Sequence, residues 1–400
     1  MYSHLNGICV LDTTRYLPGP LCTRLLADMG ADVIVVEPVS AGDPFRYIPP
    51  LAGHSSSTYY TINRNKRSIA LDYTSSAGRD VLYSLIKRAD VFIVDMKPKK
   101  LLSLGIDDTR LRSINERLIY CSLAGFDHNG PYSGKATHDL NILALSGLLD
   151  LMGEQDGPPM VPPVQIAGTM GSHTALSAIL AALYKRERTG TGESLTVSLF
   201  DAVSTTLCLL AGQFSWDLDA LRRGETMAGG GYACYNVYEC ADDTYLAIAC
   251  IETKRWEKFC QLIGQDDLIA DQFSSGPAQD MVKDAVRNII KTKTRDAWCA
   301  LFDPHDLCIT PVLAFNKSLS LFQTAGKSPW SFRHIDGNHA VLEQTIPYRS
   351  SRSDTCDDHP APAHGADTAD ILSQLGYTET DRKLFEQDGV IPPVKKSKNT

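Results

Sequence analysis

Short apolar, β-branched runs alternate with stretches of helical spacing from the first residues onward, and this alternation constrains the fold more than any other feature. Gly7-Ile8-Cys9-Val10-Leu11-Asp12 reads as a buried strand, and Pro18-Gly19-Pro20 punctuates it. Leu21, Leu25, Leu26 and Met29 then fall on one helical stripe, closed by Gly30 as a C-cap. Ala31-Asp32-Val33-Ile34-Val35-Val36-Glu37 is the next strand. Strand, helix and strand in so short a span is the βαβ unit of a parallel sheet.

The unit repeats. Strands are expected at Ser68–Asp72, Asp90–Asp95, Leu118–Leu123 and Ser194–Ser198, with helices at Ala77–Arg88 and Thr174–Arg186. Leu176, Ile179, Leu180 and Leu183 form the apolar stripe of the last helix. The character changes near Met227, where Gly229-Gly230-Gly231 forms a flexible joint. Strands at Cys234–Cys240 and Tyr245–Ile251 flank the turn signal Ala241-Asp242-Asp243-Thr244. Helices follow at Lys254–Ile263, Asp280–Lys291 and Asp296–Phe302. Beyond Pro304 the chain reads as irregular until short helices at Thr368–Leu375 and Glu379–Asp388. The expected division is a large α/β domain over 1–200, a linker over 201–228, a small α+β domain over 229–320 and a segment over 321–400 that returns to the large domain.

Hydrophobic residues make up 43% of the 400 residues and charged ones 22%, enough to build a sizeable core. A formal net charge of -8 argues against nucleic acid as a partner, so an anionic ligand needs a local basic cluster. The 11 cysteines lack CxxC spacing and read as free thiols of a reducing, intracellular compartment, the cytoplasm by default. No secretory leader, membrane span or metal-ligand spacing is read, so neither a membrane partner nor a metal is expected. Lys396-Ser397-Lys398-Asn399-Thr400 reads as a solvated basic tail.

A set of ordered segments narrows the chain further. Leu11-Asp12-Thr13-Thr14-Arg15-Tyr16-Leu17-Pro18-Gly19-Pro20, Gly42-Asp43-Pro44-Phe45-Arg46, Asn63-Arg64-Asn65-Lys66-Arg67 and Arg188-Thr189-Gly190-Thr191-Gly192-Glu193 together resemble the family III CoA-transferases. Within that family His138-Asp139-Leu140-Asn141 and Pro163-Val164-Gln165-Ile166-Ala167 look more like the α-methylacyl-CoA racemase branch than the transferase branch. The resemblance implies a Rossmann-like parallel-sheet domain with a smaller α+β domain, and an interlocked homodimer. It implies an acyl-CoA or related thioester as substrate, with coenzyme A entering as part of that substrate and no covalently bound cofactor.

The same resemblance implies the site residues. His138 matches the catalytic histidine, Asp139 adjoins it, and Glu252 matches the glutamate that orients or charges the ring. Removing the weakly acidic proton beside a thioester needs such a base and donors for the enolate oxygen. Gly168 falls where the family carries an aspartate, the second base of the racemase and the nucleophile of the transferase. Glycine performs neither task. Three routes stay open: enolisation with His138 as the single base, replacement of the aspartate by another group such as His173 or Asp139, or an acyl-CoA-binding chain without chemistry. A racemase-like isomerase is the leading expectation, with a CoA-transferase using a different nucleophile as the alternative. Arg15, Arg46, Arg64, Lys66 and Lys97 match the family's nucleotide-binding segments and are the expected phosphate contacts, although Lys97-Pro98-Lys99 stands where the family has Arg-Pro-Gly.

Overall fold

The computed structural model describes residues 2–53, 55–218, 221–324, 328–351 and 358–393. The basic tail expected at the C-terminus lies outside these residues. The chain divides into two units, one of residues 1–142, 164–205 and 326–400, the other of residues 143–163 and 206–325. Residues 143–163 therefore cluster with the second unit, where the sequence placed them in the large domain.

The first unit is built on six parallel strands. These are β1 (Cys9–Asp12), β2 (Asp32–Glu37), β3 (Lys66–Ala70), β4 (Val91–Val94), β5 (Ile119–Ala124) and β6 (Ser194–Ser198), in the spatial order β3-β2-β1-β4-β5-β6. Residues alternate between the two faces. Leu11, Ile34, Phe92 and Val94 join one core, while Val10, Val33, Val91 and Ile93 join the other. A period of two with both faces apolar is what a sheet covered on both sides requires.

Helix α1 (Pro18–Asp28) links β1 to β2, α2 (Ser76–Ile86) links β3 to β4, and α3 (Pro98–Leu104) follows β4. The short α4 (Asp139–Leu145) precedes the 24-residue α5 (Ile166–Thr189). Leu25 and Leu26 of α1 pack with Leu176, Ile179 and Leu183 of α5 on one face; Leu82, Leu85 and Ile86 of α2 cover the other. Helix α5 is long and apolar enough to cross a membrane by length and composition, contrary to the sequence reading, yet half of its apolar window is buried inside the protein.

The second unit carries α6 (Thr253–Ile263), α7 (Pro277–Ile290) and α8 (Arg295–Phe302) against an antiparallel sheet. That sheet holds β7 (Tyr235–Glu239), β8 (Tyr245–Ala249) and β9 (Ile309–Pro311) in the order β9-β8-β7. Its core gathers Trp256, Phe259, Val286 and Trp298. The chain then returns to the first unit as an antiparallel hairpin, β10 (Trp330–His334) with β11 (Ala340–Gln344), and as α9 (Thr368–Gln374) and α10 (Glu379–Gln387). The hairpin corrects the irregular reading beyond Pro304. Ile371 and Leu372 of α9 are buried in the same core as α2.

Candidate active site

In an open parallel sheet, ligands settle where the strand order reverses, outside the carboxyl ends of the strands. Here β1 pairs with β2 on one side and β4 on the other, so the reversal lies between β1 and β4. The loops leaving these two strands build the candidate site.

Strand β1 ends in Asp12, which is wholly buried. Its carboxylate accepts from Thr14 N at 2.9 Å, Thr14 Oγ1 at 2.5 Å and Thr23 Oγ1 of α1. These bonds pin the turn Thr13–Tyr16 onto the start of the helix. Tyr16 is held at φ +64, a left-handed conformation that costs a non-glycine residue about 1–3 kcal/mol. Gly19 is required by packing: a Cβ there would lie 1.9 Å from Thr14 Oγ1. The turn thus brings Arg15, Tyr16 and the first turn of α1 to one cavity.

Strand β4 runs into Asp95. Its Oδ2 accepts from Arg15 N at 2.9 Å, while Oδ1 is buried with no hydrogen-bond partner among the described residues. Burial pushes the Asp95 carboxyl up to about 6, against the pull of the Arg15 amide and guanidinium.

Strand β5 ends at Ala124-Gly125. A Cβ on Gly125 would lie 2.2 Å from Thr137 Cγ2, so only glycine lets the loop before α4 lie against the strand end. That loop delivers His138. Its backbone N donates to Asn141 Oδ1 at 3.0 Å, and its exposed imidazole has no hydrogen-bond partner among the described residues. Asp139 reaches to the start of α5, where Gly168 N donates to Asp139 Oδ1 at 2.9 Å. Its carboxylate therefore caps a long helix. A side chain on Gly168 would meet Leu17 Cδ2 at 3.1 Å and Gln165 Oε1 at 3.4 Å, so an apolar group and a neutral amide now stand beside that position.

Arg15, Tyr16, Asp95, His138, Gln165 and Gly168 line a cavity of about 400 Å³. The amino ends of α1 and α5 both open on it through Gly19 and Gly168. Two positive helix ends favour a developing anion there. Arg15 also borders a second cavity of about 160 Å³, walled by Thr14, Pro38, Tyr73 and Lys100. The pair forms an elongated site with an arginine at the junction.

The expected phosphate contacts separate into two groups. Arg46 is buried and holds Glu37 with two bonds, Nε to Oε1 at 2.8 Å and Nη2 to Oε2 at 2.7 Å, with its guanidinium 3.7 Å from the Tyr59 ring centroid. Arg64 is buried against Asp28 at 2.9 and 2.7 Å, and also donates to Gln344 O of β11 at 2.5 Å. Lys66 is fully buried, donating to Pro20 O at 2.9 Å and Asn63 Oδ1 at 2.8 Å beside Asp12. Burial lowers its pKa, with Asp12 opposing. These three cations neutralise carboxylates of their own fold, while Arg15 lines both cavities described above. Lys97 is exposed at the N-cap of α3; Lys100, one turn further, lines the smaller cavity and went unread in the sequence. The same bonds exclude a dinucleotide-type role for Glu37. At the end of β2 it would hold a ribose, but Arg46, Ser68 Oγ and Asp43 N occupy both its oxygens.

Glu252 belongs to the second unit. It is the exposed N-cap of α6 and pairs with Arg255 at 2.5 Å, which holds its carboxyl below the usual range. His173 is exposed on α5, away from the lining of the larger cavity.

A parallel sheet with a cavity at its reversal point and a histidine on the loop after β5 define an open α/β fold with its site at the strand ends. The family profile described as CoA-transferase family III matches residues 5–368, and the chain belongs to that family. It is similar to a protein named acyl-CoA transferase from Fusarium pseudograminearum, 30% identical, covering 97% of this chain and 88% of that one. It is equally similar to human alpha-methylacyl-CoA racemase, 30% identical with 97% of each chain covered. Among solved structures it resembles a CAIB/BAIF family protein from Brucella suis, with a TM-score of 0.80 at 30% identity over 94% of this chain and 100% of that chain.

Proposed function

We propose that this protein catalyses proton chemistry at the α-carbon of an acyl-CoA thioester, as a racemase, epimerase or isomerase, with His138 as the base. The observation that carries this reading is the unpaired His138 imidazole in a cavity onto which two helix amino ends open. The imidazole takes the α-proton, and the electron pair moves onto the thioester oxygen. Backbone amides and helix ends stabilise the resulting enolate. Gly168 carries no carboxylate that could attack the thioester, which favours this chemistry over transfer through an acyl anhydride. Arg15 and Lys100 are the cations proposed to meet the phosphates of coenzyme A. Asp139 acts as a positioning residue, tying the histidine loop to α5. The active assembly is a homodimer.

The test is deuterium incorporation from deuterium oxide into a panel of acyl-CoAs, followed by mass spectrometry. Exchange at the α-carbon is expected, and His138→Ala lowers it by about 10²–10⁴-fold. Coenzyme A transfer to a free acid without α-exchange would replace this reading by the transferase one. Binding with neither activity would make the chain a non-catalytic acyl-CoA binder.

A further inference from the structure

Asp95 is a carboxyl in the larger cavity that the proposed reaction leaves unused. It stands at the carboxyl end of β4, beside the reversal of strand order. One oxygen is fixed by the Arg15 amide at 2.9 Å, and the other is buried with no donor among the described residues. A buried oxygen without a donor is costly and calls for an explanation, and in a carboxyl that lines a cavity a proton or a ligand supplies one. The cavity it lines is the one lined by His138 and by Gly168, whose missing side chain leaves the cavity without the carboxylate that the family resemblance expects there.

We propose that Asp95 is the second proton-exchanging group of this site, doing from the end of β4 what an aspartate at position 168 would do from the start of α5. The inference rests on the α-proton reading above and adds the residue that completes it. His138 removes the α-proton, and the C–H electron pair becomes the enolate double bond with charge on oxygen. Asp95, in its acid form, gives its proton to the α-carbon as the enolate collapses. An imidazolium and a carboxylate remain, and exchange with water resets both. In the opposite direction the carboxylate takes the proton and the imidazolium returns one.

The charged and titratable groups around Asp95 allow this. Arg15 on the turn after β1 favours the carboxylate; Asp12 at the end of β1 opposes it. Tyr73, beyond β3, feels Asp95 in its own ionisation. His138 and Asp139 face the same cavity from the start of α4, and Lys100 lines the neighbouring one. Burial dominates this balance and pushes the carboxyl up to about 6, near the value at which a proton donor and acceptor work equally well at neutral pH.

Two measurements on the full-length protein test it. The first is a carbon-13 NMR titration of carboxyl-labelled aspartate, comparing wild type with Asp95→Asn. A resonance titrating near 6 that is lost in the variant is expected; a lost resonance with an ordinary aspartate value overturns the proposal without touching the α-proton reading. The second is deuterium incorporation into the R and S forms of α-methylbutanoyl-CoA. Asp95→Asn keeps exchange of the enantiomer that His138 deprotonates, loses the other by about 10²-fold or more, and Asp95→Glu restores part of it. A purely structural role would depress both enantiomers alike and would overturn the proposal. Equal retention of both in Asp95→Asn overturns it as well, while the α-proton reading stands. Absence of exchange in wild type on a broad acyl-CoA panel sinks both.

Discussion

Asp43 carries a pH dependence of its own. It is buried, its Oδ1 accepts from Phe45 N at 2.7 Å, and burial, reinforced by Glu37 and Asp12, pushes the carboxyl up to about 6. The folded protein keeps this proton at a pH where the unfolded chain has released it. The group's stabilising effect is therefore full below about pH 4 and is lost as pH rises toward 6. Asp43→Asn keeps an acceptor for Phe45 N and removes the loss. Urea unfolding is expected to show the variant more stable than wild type by about 1–3 kcal/mol at pH 7, the gap narrowing as pH falls to 5 and then 4. The residue scale is also where sequence reading went furthest astray. In the sequence Arg46, Arg64 and Lys66 read as phosphate contacts, and the structure pairs them with Glu37, Asp28 and Asp12 of their own fold. Arg64 meets Asp28 across 36 residues and Glu343 across 279, and no local pattern announces such pairing. Asp95, by contrast, was visible only as the last residue of an apolar strand; that one oxygen lacks a donor is a property of the fold.

Helix α5 separates what an element's sequence declares from what its surroundings impose. The stripe Leu176, Ile179 and Leu183 makes a helix from Thr174 legible, since three buried aliphatics on one face are a tertiary signal written locally. The eight residues before it were not read as helix because Gly168 and Gly171 are poor helix formers. Packing overrides propensity there: a Cβ on Gly171 would lie 2.0 Å from Leu199 Cδ2, and Asp139 caps Gly168 from another element. Asp139→Ala is expected to lower stability by about 1 kcal/mol. Hydrogen exchange should quicken over residues 166–170 and stay unchanged over 176–183; uniform protection across both spans would remove the capping role. The parallel strands were legible for a simpler reason, because a doubly covered sheet needs unbroken apolar runs. The β10–β11 hairpin escaped because only Val341 and Glu343 of its two strands are buried, although Asp336-Gly337-Asn338 between the strands is a turn signal.

The chain divides into two units with a break after residue 205; in the sequence the large domain reads as ending at 200, and the change of pattern and the glycine joint fall later, at 227–231. The membership of residues 143–163 was not marked there, because it depends on the chain leaving the sheet unit after α4 and rejoining it at α5. The second unit also carries a cluster of bare apolar side chains: Leu209 is 81% exposed, Trp216 94% and Leu218 72%. Such a cluster favours the homodimer of the proposed assembly. Sedimentation at micromolar concentration is expected to give twice the chain mass of 43.8 kDa, and Trp216→Glu to shift the population toward single chains. A wild-type protein that stays at the single-chain mass would remove the dimer from the proposal.

The Arg64 clamp sets an order of events during synthesis. Asp28 and Arg64 emerge early, but Gln344 and Glu343 leave the ribosome only after the entire second unit has been made. Until then a guanidinium and a carboxylate that end up dry must remain wetted at a loose sheet edge, since an incompletely matched buried charge is strongly unfavourable. Closing the first unit therefore waits until the second has been made, and a nascent chain stalled before the β11 codons holds an unfinished sheet unit rather than a finished domain.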